Sequence, residues 1–428
     1  MRTDAYPSNN VGNRLNETGN GYTGYDERKA TSDYSPPANH DAAYGTMEDH
    51  YGGKKLGMTR TALIFFTNQV GIGILSLPST MHTLGLIPGI ITIITLGIIA
   101  TYTAYILIQF YRAYPSIRDI VDVAKIMGGL PLQIIVGIAN VLNLCLICAS
   151  ANVTLSIGFN TISNHALCTI GFIGLPMIAC WLLCMPRSLN FAGWFGVPAT
   201  ISIRKDKTVT PTLMRKLTCP VAAVLIVVVA LAVGGPNTNA TGYFGEPANE
   251  PLVMRLGPNP LASMEVQFES VLNVAFAYAG NQAFVTVMCE MRNPSKDFTP
   301  AIIWLNAIAI PLYVIIGCVV YYLSGQYVVS PALGSAPGVA SQVAYGILIP
   351  TMLGSGLVFG HTGIKFMYNF FMDNVVKSKA KLTDNTITTW GVWLGCGTLF
   401  WVTAFVFANA IPAFNSILGI SSALFVTW

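Results

Sequence analysis

Thr67-Asn-Gln-Val-Gly-Ile-Gly-Ile-Leu-Ser-Leu-Pro-Ser-Thr-Met-His-Thr-Leu-Gly85 occupies the middle and far end of the first apolar stretch of this chain long enough to cross a bilayer. A helix that only anchors a protein in lipid has no use for Gly71, Gly73 and Pro78 within eight residues. In a helix interior glycine costs about 1 kcal/mol and proline about 3 kcal/mol relative to alanine. Non-helical backbone at membrane depth survives only where it is buried in protein or lines a cavity. A broken first span therefore predicts a binding site, because transporters hold substrate on such breaks.

Composition supports the membrane setting. The chain has 428 residues, 53% hydrophobic and only 10% charged, with a mean hydropathy of +0.56. Soluble domains carry about 25% charge, so an all-α integral membrane protein is expected. The nine cysteines lie mostly inside apolar segments and read as small packing residues. Cys168 alone lies near an outer loop, which argues against a disulfide framework. The net charge of +4 comes from basic residues in loops between spans, so nucleic acid is not an expected partner. Residues 1–55 are rich in Asn, Gly, Tyr, Asp, Ser and Pro, show no apolar period, and predict a disordered cytoplasmic tail. Residues 56–428 form the expected transport domain.

A span needs about 20 apolar residues. That ruler places helices near 61–80, 86–111, 131–158, 169–186, 264–289, 300–324, 341–371 and 388–411, with a split span at 191–203 plus 220–233. A final apolar run covers 413–428, giving nine complete or repairable spans and part of a tenth. With the N-terminus inside, Lys54, Lys55, Arg60, Arg112, Arg118, Lys125, Arg187, Arg292, Lys296, Lys377, Lys379 and Lys381 fall on the cytoplasmic side. The outer loops hold Arg255 alone, so the positive-inside rule fixes the expected orientation. The outer loop 234–263 carries the sequon Asn239-Ala-Thr241, a glycosylation candidate.

If the fold repeats five spans in inverted order, the sixth span should break where the first does. Its centre, Ala277-Tyr-Ala-Gly-Asn-Gln282, joins small residues to polar ones in mid-membrane. Paired interruptions in corresponding halves are the best sequence pointer to a transporter site. Unpaired N–H groups at the start of a second half-helix favour a carboxylate, and carbonyls ending a first half favour an ammonium or a cation. Two broken helices can thus hold the zwitterion of an α-amino acid without a charged side chain. The plainer reading makes Gly71, Gly73 and Gly280 close-packing residues between helices.

Val70-Gly-Ile-Gly-Ile-Leu-Ser-Leu-Pro78 resembles the first-helix signature of the amino acid/auxin permease family. The sixth span from Phe268 through Glu290-Met-Arg-Asn-Pro294 resembles that of the fungal neutral amino acid permeases. The likeness runs from about residue 57 to the end. It implies a leucine-transporter-type inverted-repeat bundle of about eleven spans and proton- or sodium-coupled uptake of neutral amino acids. It implies no other cofactor, and a plasma-membrane or vacuolar location. By that resemblance the substrate contacts Val70, Gly71, Ile72 and Gly73 on one side and Phe276, Ala277 and Tyr278 on the other. Asn68 and Asn281 complete the expected set.

Charges inside spans are costly and usually functional. Glu265 and Glu269 begin the sixth span one helical turn apart, and Glu290 ends it beside Arg292. His361 and Lys365 lie one turn apart in the eighth. Glu269 is the first candidate for carrying a coupling proton, since a carboxyl in a partly dry vestibule holds its proton more tightly. His361 is second, because a histidine titrates near neutrality. The plainer reading of Glu265 is a solvated acid at a helix start, and that of Glu290 and Lys365 is snorkelling near the cytoplasmic face.

Two features depart from the family pattern. Arg204 to Pro220 inserts five basic residues and two prolines between the apolar halves of the fifth span. Each base at a helix centre would cost about 2.5–3.5 kcal/mol. The insert is expected to be a retained intron of seventeen codons; the rival is a loop between two re-entrant helices. The run from Ile411 to Trp428 looks like a tenth span cut midway. The expected function is secondary active import of amino acids. The alternative is a transport-defective or regulatory relative that binds an amino acid without moving it. A channel would want a symmetric polar filter, and an enzyme a constellation such as HExxH; neither pattern occurs in the chain.

Overall fold

A computed structural model describes residues 57–187, 209–280, 284–372 and 386–426, apart from positions 116, 118, 165, 237, 239–241, 292 and 412. The insert's first residues, the first half of the fifth span (191–203), Asn239 and Asn281 lie outside the described residues. Every regular element among the described residues is a helix, and none is a β-strand.

The first span is two helices. α1 runs Met58–Gln69, a 3-10 turn covers Ile72–Ser76, and α2 covers Leu77–Leu84 with Pro78 in its first turn. Proline there costs nothing, because its missing N–H is one the helix start leaves unpaired anyway. So Pro78 opens the second half-helix instead of disrupting an existing one. Gly85 then turns the chain at φ +84° into α3, Leu86–Ala113.

α4 (Ile120–Ile162) starts eleven residues before the expected third span. Its axis bends at Gly129 (φ +69°), two residues before Pro131, which separates a short leading piece from the span proper. Asp119 caps the leading piece by accepting the Asp122 N–H at 2.9 Å. α5 follows at Thr169–Cys184. α6 covers Val209–Gly234, so the helix begins within the expected insert and continues into the apolar half 221–233.

The sixth span also breaks as expected. α7 covers Met264–Ala277 and α8 covers Phe284–Glu290. α9 (Pro294–Ser324), α10 (Gly338–Phe371), α11 (Ile387–Ala410) and α12 (Phe414–Ser421) complete the order. Among the described residues five helices are long and apolar enough to cross a membrane: α3, α4, α9 with the turn after it, α10 and α11. The sequence tally is larger because it adds the two broken spans and the shorter apolar helices.

The helices pack as two groups. α1, α2 and α3 gather round α9, α7 joins them by packing on α2 and α3, and α5, α10 and α11 pack with α4. In the second group Trp401 and Phe400 press on α10, where Cβ atoms at Gly360 and Gly363 would lie 2.6 Å and 2.3 Å from their rings. Cys145, Cys148, Cys180 and Cys184 fill the same interface, in line with the packing role expected for them. Among the described residues no group of three or more metal-ligating side chains forms. The outer face of α3 exposes Ile87, Ile91, Ile94, Ile98 and Tyr102, an apolar face suited to lipid.

Candidate functional site

The two breaks meet. A Cβ built on Gly73 would lie 2.6 Å from Ala277 Cα and 3.1 Å from its N, so backbone approaches backbone where the first and sixth spans are interrupted. Real Cβ contacts essentially never fall under 3 Å, so only glycine permits this approach.

One side chain ties the breaks together. The Tyr313 hydroxyl of α9 is fully buried and lies 3.0 Å from the carbonyls of both Gln69 and Ala277, the last residues of α1 and α7. Helix ends leave their final carbonyls unpaired; here one hydroxyl serves two of them, and the Gln69 carbonyl also takes the Gly71 N–H at 3.0 Å. The Gln69 amide donates to Asn306 Oδ1 at 3.2 Å, and the Asn306 amide donates to Thr101 Oγ1 at 2.7 Å. This chain of amides links α1 to α9 and α3. Ser76, Ser79 and Thr80 turn their hydroxyls back onto the carbonyls of Gly73 and Ser76.

Val70, Ile72 and Gly73 are buried in the first break, with Gly71 half-buried between them. Phe276, Ala277 and Tyr278 are buried at the second. Tyr278 packs its ring 5.3 Å from Tyr313 and donates its O–H to the Ile93 carbonyl of α3 at 3.1 Å. It is therefore held by α3 and α9. Asn68 lies in the last turn of α1. Gln69, Tyr313, Asn306 and Thr101 escaped sequence reading, because a tyrosine or an amide alone in an apolar span carries no spacing signal.

The charged candidates scatter. Glu269 is half-buried on α7, and its Oε1 is buried with no hydrogen-bond partner among the described residues. It packs on Gly419 of α12 and borders a groove of about 790 Å³ between those helices, with Glu265 and Leu84 also lining it. His361 is buried on α10, its Nε2 3.1 Å from the Pro186 carbonyl and its ring 5.2 Å from Trp393. Lys365 is half-buried one turn further along α10, and Glu290 is the last residue of α8.

A buried pair unforeseen from the sequence lies at the C-terminal end of α2. His82 Nε2 is 3.1 Å from Glu246 Oε1, with both side chains almost wholly shielded. Burial pushes the Glu246 carboxyl up, but the Phe244 N–H, its own backbone N–H, His82 and the Asn259 amide outweigh it and hold the group below the usual carboxylate range. Beside it, burial raises the Tyr243 hydroxyl against the opposing hydrogen bond from Asn415, with Glu269 adding to the rise. The loop strand 255–259 is laced to the α2–α3 corner: Leu86 and Ile87 N–H groups reach the carbonyls of Arg255 and Leu256, and Asn259 N–H reaches that of Thr83. Nothing in local spacing announces a pair 164 residues apart.

Residues 54–428 match the family described as transmembrane amino acid transporter protein. The chain is 30% identical over 383 residues to an N amino acid transport system protein of Neurospora crassa, covering 89% of this chain and 75% of that one. It is 26% identical over 368 residues to a transmembrane transporter of Fusarium pseudograminearum, covering 85% of this chain and 71% of that one. Among solved structures, MhsT in complex with L-phenylalanine superposes with a TM-score of 0.47 at 13% identity, over 87% of this chain and 88% of that one.

Proposed function

The chain belongs to the transmembrane amino acid transporter family, and from that premise we propose that it imports neutral amino acids by secondary active transport coupled to protons. The observation that carries this reading is the meeting of two helix breaks at Gly73 and Ala277. There the carbonyls of Gln69 and Ala277 converge on one hydroxyl. Converging carbonyls suit an ammonium group, and the start of a second half-helix suits a carboxylate. A zwitterion spanning the breaks would touch backbone at Val70, Gly71, Ile72 and Gly73 and at Phe276, Ala277 and Tyr278. Its side chain would be selected by the apolar residues around them.

Binding between the two breaks favours alternating access. The broken spans pack with α9 in one group of helices, while α4, α5, α10 and α11 form the other. Relative movement of two such groups opens a central site to either side in turn. The N-terminal tail faces the cytoplasm, the plasma membrane is the location, and Glu269 followed by His361 are the candidates for carrying the proton.

The test is uptake of labelled neutral amino acids by cells expressing the chain with and without residues 204–220, across imposed pH and sodium gradients. Accumulation that follows the pH gradient supports the reading. Substrate binding without accumulation in either form would make the protein a sensor or a transport-defective relative. Accumulation that follows sodium alone would overturn proton coupling.

A further inference from the structure

We propose that His82 and Glu246, with Asn259, form a proton-binding site on the outer half of the broken first span, through which acidity fastens that half-helix to the outer loop. The site is built from two parts of the chain that meet only in the fold. His82 closes α2, and Glu246 sits in the turn Gly242–Glu246, which the Gly242 N–H closes on the Glu246 carbonyl at 2.9 Å. The carboxylate is fixed on both oxygens: Oε2 accepts the Phe244 N–H at 2.8 Å, and Oε1 faces His82 at 3.1 Å and the Asn259 amide at 3.5 Å.

A carboxylate only accepts hydrogen bonds. With Glu246 ionised, Nε2 of His82 donates across the 3.1 Å contact, the Asn259 amide nitrogen 3.4 Å from Nε2 serves Oε1 instead, and the lone pair is left on Nδ1. That nitrogen is buried and has no hydrogen-bond partner among the described residues. One proton added at Nδ1 converts a neutral imidazole hydrogen bond into an ion pair with Glu246, and no other bond changes. Shielding from water strengthens such a pair.

The surroundings set what the histidine experiences. From the loop it faces Glu246 and the positive charge of Arg255, with Tyr243 and Phe244 against its ring. From α9 it meets Tyr321, whose hydroxyl accepts the Arg255 N–H at 3.0 Å. From α7 the next carboxylate, Glu269, acts on Tyr243. Burial is the largest influence on the ring and opposes protonation; Glu246, the one negative group in direct contact, favours it, and Arg255 adds to the opposition.

The consequence is mechanical. α2 is the half of the first span that carries Pro78 and follows the Gly73 contact, and it must shift if the site opens outward. A neutral imidazole holds the loop by an ordinary hydrogen bond, and an imidazolium holds it by a charge-assisted one. That difference corresponds to about five-fold in an equilibrium. The link to transport rests on the function proposed above, whereas the protonation itself does not.

Equilibrium exchange in proteoliposomes, with equal pH on both sides, removes any driving force from protons and reads the protein alone. Wild-type exchange should slow about five-fold between pH 8 and pH 5. His82→Asn should lose this slowing at acid pH, and Glu246→Gln should move the transition to lower pH because the carboxylate that favours the imidazolium is gone. The same pH profile in His82→Asn as in wild type would overturn the proposal. A second readout needs no transport. Replacing His40, His50, His165 and His361 by Gln leaves His82 as the sole histidine, and its labelled ring carbons are followed by NMR. Titration between pH 5 and 8 is expected, with a shift to lower pH when Glu246→Gln is added. A ring that stays neutral down to pH 5 would overturn the site even if His82→Asn cannot be reconstituted. If wild type exchanges no neutral amino acid, the proposed function fails, and the NMR titration still decides the proton site.

Discussion

Gly73→Ala adds one methyl group at the point where the two breaks touch. Its Cβ would lie 2.6 Å from Ala277 Cα and 2.9 Å from Ala277 Cβ. Ordinary van der Waals contact begins near 3.4 Å, so the two segments must part by about 0.8 Å on this line. Neither neighbour is the far end of a flexible side chain that could swing aside. Both are part of a buried stretch whose carbonyl is fixed to Tyr313. Overpacking of this kind costs about 1–3 kcal/mol. The functional loss should be larger, because misplacing binding groups by about 1 Å can cost two orders of magnitude in rate. The expected outcome is uptake of labelled neutral amino acid reduced about 10- to 100-fold per molecule at the surface, with Gly73→Val lower still. Gly395→Ala is the control: it lies in α11, with nothing within 4 Å of an added Cβ. Uptake by Gly73→Ala within two-fold of wild type, at equal surface level, would show that the breaks need no close contact and would remove them as the site.

Three further outcomes follow from the same geometry. Tyr313→Phe removes the donor shared by Gln69 and Ala277; thermal unfolding in detergent should show a loss of about 1–3 kcal/mol, and unchanged stability would mean the carbonyls find other donors. Glu269→Gln should keep exchange but lose concentrative, pH-driven uptake, since the amide copies the protonated carboxyl; accumulation against a gradient with the same pH profile would clear Glu269 of the role. Glu246 has its folded carboxyl below the usual range, so its contribution to stability is present above the unfolded value of about 4.3 and is lost as pH falls through the folded one. Glu246→Gln should therefore be less stable than wild type at neutral pH and approach it only below about pH 4, where Glu246 itself takes a proton, and a difference that persists unchanged below that pH would refute this.

The two interruptions were legible because glycine, proline and a run of small residues have a backbone meaning that does not depend on neighbours. Gly71, Gly73 and Pro78 marked the first break, and Ala277 to Gly280 the second. Helix positions were legible from apolar length alone, as with α3, α10 and α11. What ties the breaks together was not. Tyr313, Gln69 and Asn306 are single polar residues in apolar helices, and their partners are chosen by how α1, α7 and α9 cross. His82 sat within the most informative stretch and still went unremarked, because its meaning comes from Glu246, in a loop far along the chain. The bend at Gly129 is invisible to apolar length, because the first long apolar run starts beyond it, at Pro131.

Tyr313 has a consequence for how many independent motions the protein owns. A hydroxyl has one proton, and two carbonyls from different spans compete for it. Lengthening its distance to Gln69 hands that proton to Ala277, and the reverse. The C-terminal ends of α1 and α7, where the two spans break, are thus arms of a single balance whose pivot stands on α9. A ligand that draws one carbonyl towards itself releases the hydroxyl to the other span, so news of occupancy at one break reaches its counterpart through the transfer of a single hydrogen bond.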